Sequence, residues 1–465
     1  MNTVLKRSMA VVLALSLTGC AIVSPTLKPD VPVASTWNEA APANAAAVSP
    51  TWWESFGSAE LQSLIAEALR GSPDLASATE RVRQAEAQVG VAGASLFPML
   101  SAGGDTSTRR TSGAGGAVTS QATGLTLTAS YELDLWGKNR AGVQSAKSSM
   151  AASQFDRDTA RLTLISGVAT SYFDVLALRT RLSIARENLA IAERVLELVS
   201  ARARNGAASA LDVSRQEATV LSQRAALLPL EQLERQTLAA LAVLLGRPPE
   251  GFDVKATVIA DLSVPEIDPG LPAELLVRRP DLASAEAQLA ASNADVAAAR
   301  AALLPSIKLT GTAGLASGAL LSLVSGGTTS AIGIAASLLQ PIFDGGRLRG
   351  QKAIAESRER ELVQTYRKAI LSALEDVEKA LAGTSRLGQQ EQLQDGVQTQ
   401  ARESLRLAEV RYRAGADDLL TVLDAQRTLF SAQDQLAQAR LSRLQAAVSL
   451  YKALGGGWSE PKAGA

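Results

Sequence analysis

The 465-residue chain contains no histidine. It therefore lacks the side chain most used as a general base near neutral pH, which is also the commonest metal ligand. Its single cysteine, Cys20, cannot form an internal disulfide. Aromatic residues make up only 4%. No sign of charge is in excess, because Lys plus Arg and Asp plus Glu both number 46. Without a basic block there is no electrostatic ground for binding nucleic acid. A scattered Ser or Asp without a base is no triad, so the chain reads as a non-enzyme with no cofactor and no metal. The glycine clusters Gly113–Gly116 and Ser325–Gly327 fall between expected strands rather than before a helix. They therefore do not form a phosphate loop.

The start of the chain is a processing signal. Lys6 and Arg7 precede the apolar stretch Met9–Leu17, which is short of the roughly 20 helical residues a bilayer requires. Residues 1–19 read as a signal peptide, excluded from fold reasoning. Leu17-Thr18-Gly19-Cys20 resembles the bacterial lipobox, which implies a lipid on the Cys20 thiol; the alternative is a signal peptide with an incidental cysteine. Ala21 follows, where an Asp would signal inner-membrane retention, so the expected address is the outer membrane. Residues 20–50 are rich in Pro, Ala, Ser and Val and read as a lipidated tether.

What is present is a duplication. "SPDLASA" begins at Ser72 and "RPDLASA" at Arg279, an offset of 207; later the offset is 209, pairing Gly206 with Gly415 and Gly246 with Gly455. The expected plan is repeat 1 at 51–250, a linker at 251–271, repeat 2 at 272–457 and a tail at 458–465. In each repeat a helix near the start is followed by strict period-two alternation. "LTLTASYELDL" from Leu125 to Leu135 alternates apolar and polar residues, and Ile332, Ile334, Ala336 and Leu338 keep the same parity. Strands are expected at about 100–110, 121–135, 306–317 and 328–342, with Gly- and Ser-rich loops at Thr111–Ser120 and Ser317–Ser330. A half-buried hairpin on a soluble core would alternate in the same way. The strand length and the export signal favour the membrane, which tilted strands of about 9–11 residues can cross.

The remainder is helical. From Asn139 to Arg204 there is no proline, and Leu162, Ile165, Ala169, Tyr172 and Leu176 recur in steps of three and four. Arg204-Asn205-Gly206 ends this helix, and Ser209 with Asp212 resembles a capping box for the returning one. The second copy runs from about Arg347 to Arg413, stops at Gly415 and returns to Leu454. The returning helix is too short to match the long one. Together with the helix before the hairpin it nearly does, so each repeat pairs one continuous helix with two stacked shorter ones. Two hairpins give four strands, too few to close a barrel, for which about eight are needed. The fold class is thus mostly α with β. It has two tandem repeats with long coiled-coil helices, and several chains must share one barrel, for which a trimer gives twelve strands.

At this point the chain resembles the outer-membrane efflux protein family, the TolC-like channels, and specifically its lipoprotein branch. The residues that carry this are "LTGC", "RRPDLASAEAQLAASNADVAAARAALLPSIKLTG", "YELDLWGKNR", "LLQPIFDGGRLRG" and "RYRAGADDLLTVLDAQRTLFSAQ". The resemblance implies a homotrimer whose hairpins contribute to a twelve-stranded outer-membrane β-barrel and whose long coiled-coil helices form a periplasmic α-barrel, exporting small molecules such as drugs and toxins. They would be delivered by a periplasmic adaptor and an inner-membrane pump of the resistance-nodulation-division type. It also implies a periplasmic gate at the helical turns, at Tyr412, Asp417, Thr421 and Asp424 on one side and Leu211 and Asp212 on the other, with Arg204 or Arg215 as partners for the carboxylates. Thr421 stands where some relatives carry an acid, and Asp417 where some carry a base, so the pairs here differ. The plain alternative for the turns is solvated helix caps. For the whole chain it is a non-channel coiled-coil envelope lipoprotein, a spacer or adhesin.

Overall fold

The computed structural model describes residues 29–39, 46–318 and 329–460. Cys20 and the loop glycines near Ser325 lie outside them. The chain divides into two compact units. Among the described residues, one is drawn from Arg81–Ser153 and Ser284–Arg367, and the other from Val31–Glu80, Gln154–Ala283 and the residues from Lys368 onward.

The first unit carries the strands: β1 (Met99–Gly113), β2 (Gly116–Leu133), β3 (Ser306–Ser317) and β4 (Thr329–Leu339). They form one antiparallel sheet in the order β1-β2-β3-β4. Register puts the alternating apolar residues of the strands on one face, while Met99, Val118 and Leu339 lie on the other. One row runs Ala102, Leu127, Ala313, Ile332, and the next runs Leu100, Ala129, Gly311, Ile334. Nothing described covers this face, and Ile332 and Ile334 are 85% and 89% exposed. A soluble hairpin would hide such a face, so the alternation is not that of a half-buried sheet on a soluble core.

The strand limits differ from expectation in an instructive way. Thr111–Ser120, read as a loop, is mostly strand, and the chain turns only between Gly113 and Gly116. Gly116 has φ +105°, in the region where glycine costs least. The run is mostly Gly, Ser and Thr, with Val118 its one large apolar residue, and so lacks the apolar alternation that marks a strand, but the backbone ladder needs none. Conversely, Asp134 leaves β2 to cap the next helix, accepting from the backbone N–H groups of Asn139 and Arg140 at 2.9 Å each. Asp344 does the same in the second repeat, accepting from Gly346 and Leu348 at 3.0 Å each. Trp136 Nε1 donates to the Pro305 carbonyl at 2.6 Å, tying one strand base to the other.

The helices are α1 (Ala59–Gly71), α2 (Pro73–Ala94), α3 (Lys138–Arg204), α4 (Ala210–Leu244), α5 (Pro280–Ala301), α6 (Arg347–Arg413) and α7 (Leu419–Ala453). In the second unit the stacking of short helices has a definite joint. The end of α4 meets the start of α2: a Cβ added to Gly246 would lie 2.1 Å from the Gly71 carbonyl oxygen and 3.5 Å from Pro73. The end of α7 meets the start of α5 in the same way: a Cβ on Gly455 would lie 1.9 Å from the Arg278 carbonyl oxygen. Both glycines have positive φ, +74° and +85°. Here the equivalence of Gly246 and Gly455 acquires a cause, since each backbone turns left-handed against another backbone.

The second joint is also clamped. Arg279 donates to Asp281 at 2.7 Å, to Asp376 at 3.2 Å and to the Ala453 carbonyl at 3.2 Å. Burial alone would lower its pKa, but the two carboxylates outweigh it and hold the guanidinium above its ordinary value. Beside the joints lies an aromatic core drawn from distant segments. Trp52 stacks on Tyr451 at 4.8 Å, and Phe56 packs on Phe173 at 5.0 Å. Around it α3 is buried beyond a seam: Tyr172, Phe173, Val175, Leu176, Ala177 and Leu178 are all buried. α3 is long and apolar enough to cross a membrane by composition, but 61% of the relevant window is buried inside the protein, as in a core helix.

Two outcomes follow from this packing. Gly246→Ala and Gly455→Ala should each destabilise the protein by at least about 1–2 kcal/mol through left-handed strain alone, with more from the overlap. Gly90→Ala, where a Cβ meets nothing within 4 Å, should not; thermal unfolding midpoints compare the three. Asp174, half-buried and accepting from Gln445 at 2.7 Å, has its pKa raised by burial to about 6. A raised carboxyl pKa stabilises the fold below pH about 4, and that contribution disappears as pH rises through about 6. Asp174→Asn should flatten this segment of the stability–pH curve, measured by chemical denaturation between pH 4 and 7.

Candidate gate at the helical turns

The expected gate residues cluster at two helical turns of the second unit, α3 to α4 and α6 to α7. The turns are built alike. The Ala207 N–H reaches the Arg202 carbonyl at 2.8 Å, and the Ala416 N–H reaches the Arg411 carbonyl at 2.9 Å. Gly206 and Gly415 take φ +71° and +75°. Each pattern closes the last helical turn and exhausts its carbonyls.

The returning helices begin with caps that exchange chemistry. Ser209 Oγ accepts from Asp212 N–H at 3.2 Å, and the Asp212 carboxylate accepts from Ser209 N–H at 2.9 Å and Oγ–H at 2.8 Å. In the second turn the acid is the cap: Asp418 Oδ1 accepts from Thr421 N–H at 3.1 Å and its hydroxyl at 2.9 Å. Ser209 corresponds to Asp418 and Asp212 to Thr421. Each turn therefore keeps one carboxylate and one hydroxyl in exchanged positions. The backbone N–H of Ser209, followed by its hydroxyl, holds the Asp212 pKa below the usual carboxylate range.

The other candidates divide into tied and free. Asp417 is gripped by Arg411 in a two-point pair, 2.6 and 2.9 Å, which lowers its pKa. Tyr412 is buried at 4% exposure in an apolar cluster with Val199, Leu405, Leu419 and Val422. Burial raises its hydroxyl pKa. The Arg202 guanidinium lies 4.4 Å from its ring centre and donates to its carbonyl oxygen, joining the end of α3 to the end of α6. Arg202 was not among the residues singled out from the sequence. The signal was present, because Arg202 corresponds at the 209-residue offset to Arg411.

The Asp424 side chain is exposed, and its ion-pair partner among the described residues is the exposed Arg427, at 3.3 Å. Arg204 and Arg215 are exposed, and neither has an ion pair within 4.0 Å among the described residues, although Arg215 lowers the Asp212 pKa through space. Within one chain, then, Asp212, Asp417 and Thr421 are hydrogen-bonded and Tyr412 is buried, while the side chains of Asp424, Arg204 and Arg215 are open to solvent. Among the described residues no group of three or more Asp, Glu, His or Cys is arranged to hold a metal.

Comparison with known proteins places this architecture. The outer membrane efflux protein family model matches residues 64–247 and again 271–456. The chain is 48% identical over 424 residues to the pyoverdine export outer membrane protein OpmQ of Pseudomonas aeruginosa, covering 89% of this chain and 88% of that one. It is 35% identical over 461 residues to the toluene efflux pump outer membrane protein TtgC of Pseudomonas putida, covering 97% and 95%. The crystal structure of the open state of the Neisseria gonorrhoeae MtrE outer membrane channel superimposes with a TM-score of 0.84 at 32% identity, covering 94% of this chain and 98% of that one. These proteins are named for export, efflux and channel formation, not for catalysis. With an exposed apolar sheet, two matched halves and relatives of this likeness, the chain belongs to the outer membrane efflux protein family.

Proposed function

We propose that this protein is the outer-membrane channel of a tripartite efflux system. It passively releases small molecules handed over by an inner-membrane pump of the resistance-nodulation-division type and a periplasmic adaptor. The observation that carries this is the open four-stranded sheet with an uncovered apolar face. β1 and β4 each end the sheet with an unpaired edge, which lipid cannot hydrogen-bond. Three copies supply twelve strands and pair every edge. The relatives' names mention pyoverdine and toluene. The cargo assigned here is correspondingly broad, drugs and toxins included, with the choice of substrate left to the pump. The lipid on Cys20 is part of this reading and would anchor each chain beside its barrel. A coiled-coil spacer would share the helices but has no use for paired hairpins of matched parity.

The gate belongs to the same reading. Around a three-fold axis, Asp424 of each chain faces its counterparts, and Arg204 and Arg215 are available to neighbouring chains. Asp212 supplies a second carboxylate ring, and Asp417, Thr421 and Tyr412 hold the turns that present them. Unlike the tied residues, Asp424 has little to lose inside its own chain, which suits a contact that must break when the tunnel opens.

Two measurements test this. The mature protein in mild detergent should have the native mass of a trimer; a stable monomer or dimer would leave too few strands for a barrel. Asp212→Ala combined with Asp424→Ala should raise single-channel conductance and let vancomycin enter cells that otherwise exclude it. Ser209→Ala breaks the same cap, typically worth about 1 kcal/mol, yet keeps the carboxylate. It should leave permeability unchanged, and equal leakage from both would assign the effect to the cap rather than the gate.

A further inference from the structure

Consecutive residues of a strand face opposite sides of the sheet. Near the top of β1 two of them are Arg109 and Arg110, paired across the ladder with Ser120 and Thr119. Register therefore assigns them to different surfaces. Arg110 shares its face with Leu100 and Ala102, and through them with the apolar rows of β2, β3 and β4. Arg109 shares the other face with Ser101 and Asp105 and, across the sheet, with Thr128 and with the Glu132–Lys308 pair.

The two faces differ sharply in charge. On the face of the alternating apolar rows Arg110 is the only charged residue among the described strands. Every other charge of the sheet lies on Arg109's face: Asp105, Glu132 and Lys308. Glu132 is further paired with Lys138 at 2.5 Å. Arg109 and Arg110 are exposed, and neither has an ion pair within 4.0 Å among the described residues.

Position along the strand gives the second argument. The apolar band ends at the row of Gly104, Leu125 and Leu315. Arg110 stands six residues further on, about 20 Å along the strand and about 15 Å in height once the strand tilt is allowed for. The hairpin of β1 and β2 thus carries one guanidinium beyond the hydrocarbon layer on the lipid side, at the depth of the headgroups. A guanidinium there makes two-point bonds to phosphate or carboxylate oxygens, and basic residues near an anionic membrane surface are drawn to it.

Resting on the channel reading above, we infer that this pair divides its work between two surroundings. Arg110 binds anionic headgroups of the outer leaflet and fixes the height of the barrel, while Arg109 lines the exit and offsets the Asp105 charge, so that the exit does not favour cations. The lumen near the exit then holds one Asp105 and one Arg109 per chain. Removing Arg109 leaves Asp105 unbalanced.

The experiment uses the full-length protein and two variants, Arg109→Gln and Arg110→Gln, neither of which removes a packed side chain. Each is reconstituted into neutral phosphatidylcholine and into membranes containing phosphatidylglycerol or lipopolysaccharide. The unfolding midpoint and the reversal potential in a salt gradient are read for all three. The wild-type midpoint should rise in the anionic membranes. Arg110→Gln should lose most of that rise and keep the wild-type reversal potential. Arg109→Gln should keep the rise and shift the reversal potential toward cations, with a permeability ratio changed roughly twofold by the altered ring of charge. An Arg110→Gln protein with the full rise, or two variants that move the same readout, overturns the inference and leaves Arg110 a solvated strand-end residue. Inorganic phosphate that reproduces the rise in neutral membranes also overturns it. Wild type that conducts nothing in any membrane strikes the channel reading and the Arg109 half with it, while the midpoint still decides Arg110.

Discussion

A sheet in lipid must pair its own backbone. Water is not there to satisfy an exposed N–H or C=O, so an open edge costs several kcal/mol per group. Among the described residues the chain makes four strands, β1 to β4, and their sheet has two edges. Much else about the molecule follows from that deficit. The apolar residues can stay on one face because lipid, rather than a core, receives them. Small polar residues such as Thr126, Thr128 and Ser130 can take the other face because it meets water. Within the second unit, the buried aromatic residues Trp52, Trp53, Phe56, Tyr172, Phe173 and Tyr451 form one core of their own.

The helical part answers a different constraint. A long helix needs a partner of equal length, and each repeat assembles one from two pieces. That is possible only if the pieces meet end to end without a gap. Gly246 and Gly455 make the meeting close enough for carbonyl and backbone to touch. The two joints are fastened differently, the first by the Arg247–Glu67 ion pair. Arg279 locks the second through Asp281, Asp376 and the Ala453 carbonyl, while the residue in its place at the first is Ser72. Duplication preserved the geometry and let the fastening diverge.

What could be read in advance follows the range of the interaction. Alternation from Leu125 to Leu133 and helical spacing along α3 are local patterns, and they placed strands and helices to within a few residues. Asp134 looked like strand because it continued the alternation, but its carboxylate caps α3. Thr111–Ser120 looked like loop because glycine, serine and threonine carry no apolar signal, although the ladder with β1 holds them extended. The contact of Trp52 with Tyr451 joins residues almost four hundred positions apart, and no local pattern announces it. At the turns, Ser209 and Asp212 were legible as a cap because capping is a matter of three residues. Arg202 was not, because its partner Tyr412 belongs to the other repeat.

The exchanged caps constrain how the two turns can evolve. Ser209 with Asp212, and Asp418 with Thr421, are two solutions to one problem, each with a single acid and a single hydroxyl. Converting one into the other takes two substitutions. Either order passes through an intermediate that has two acids side by side or none. The first repels itself, and the second leaves a helix start with hydroxyls alone. The turns are therefore separated by a small mutational valley, so repeats that began as copies do not drift back toward identity by single steps.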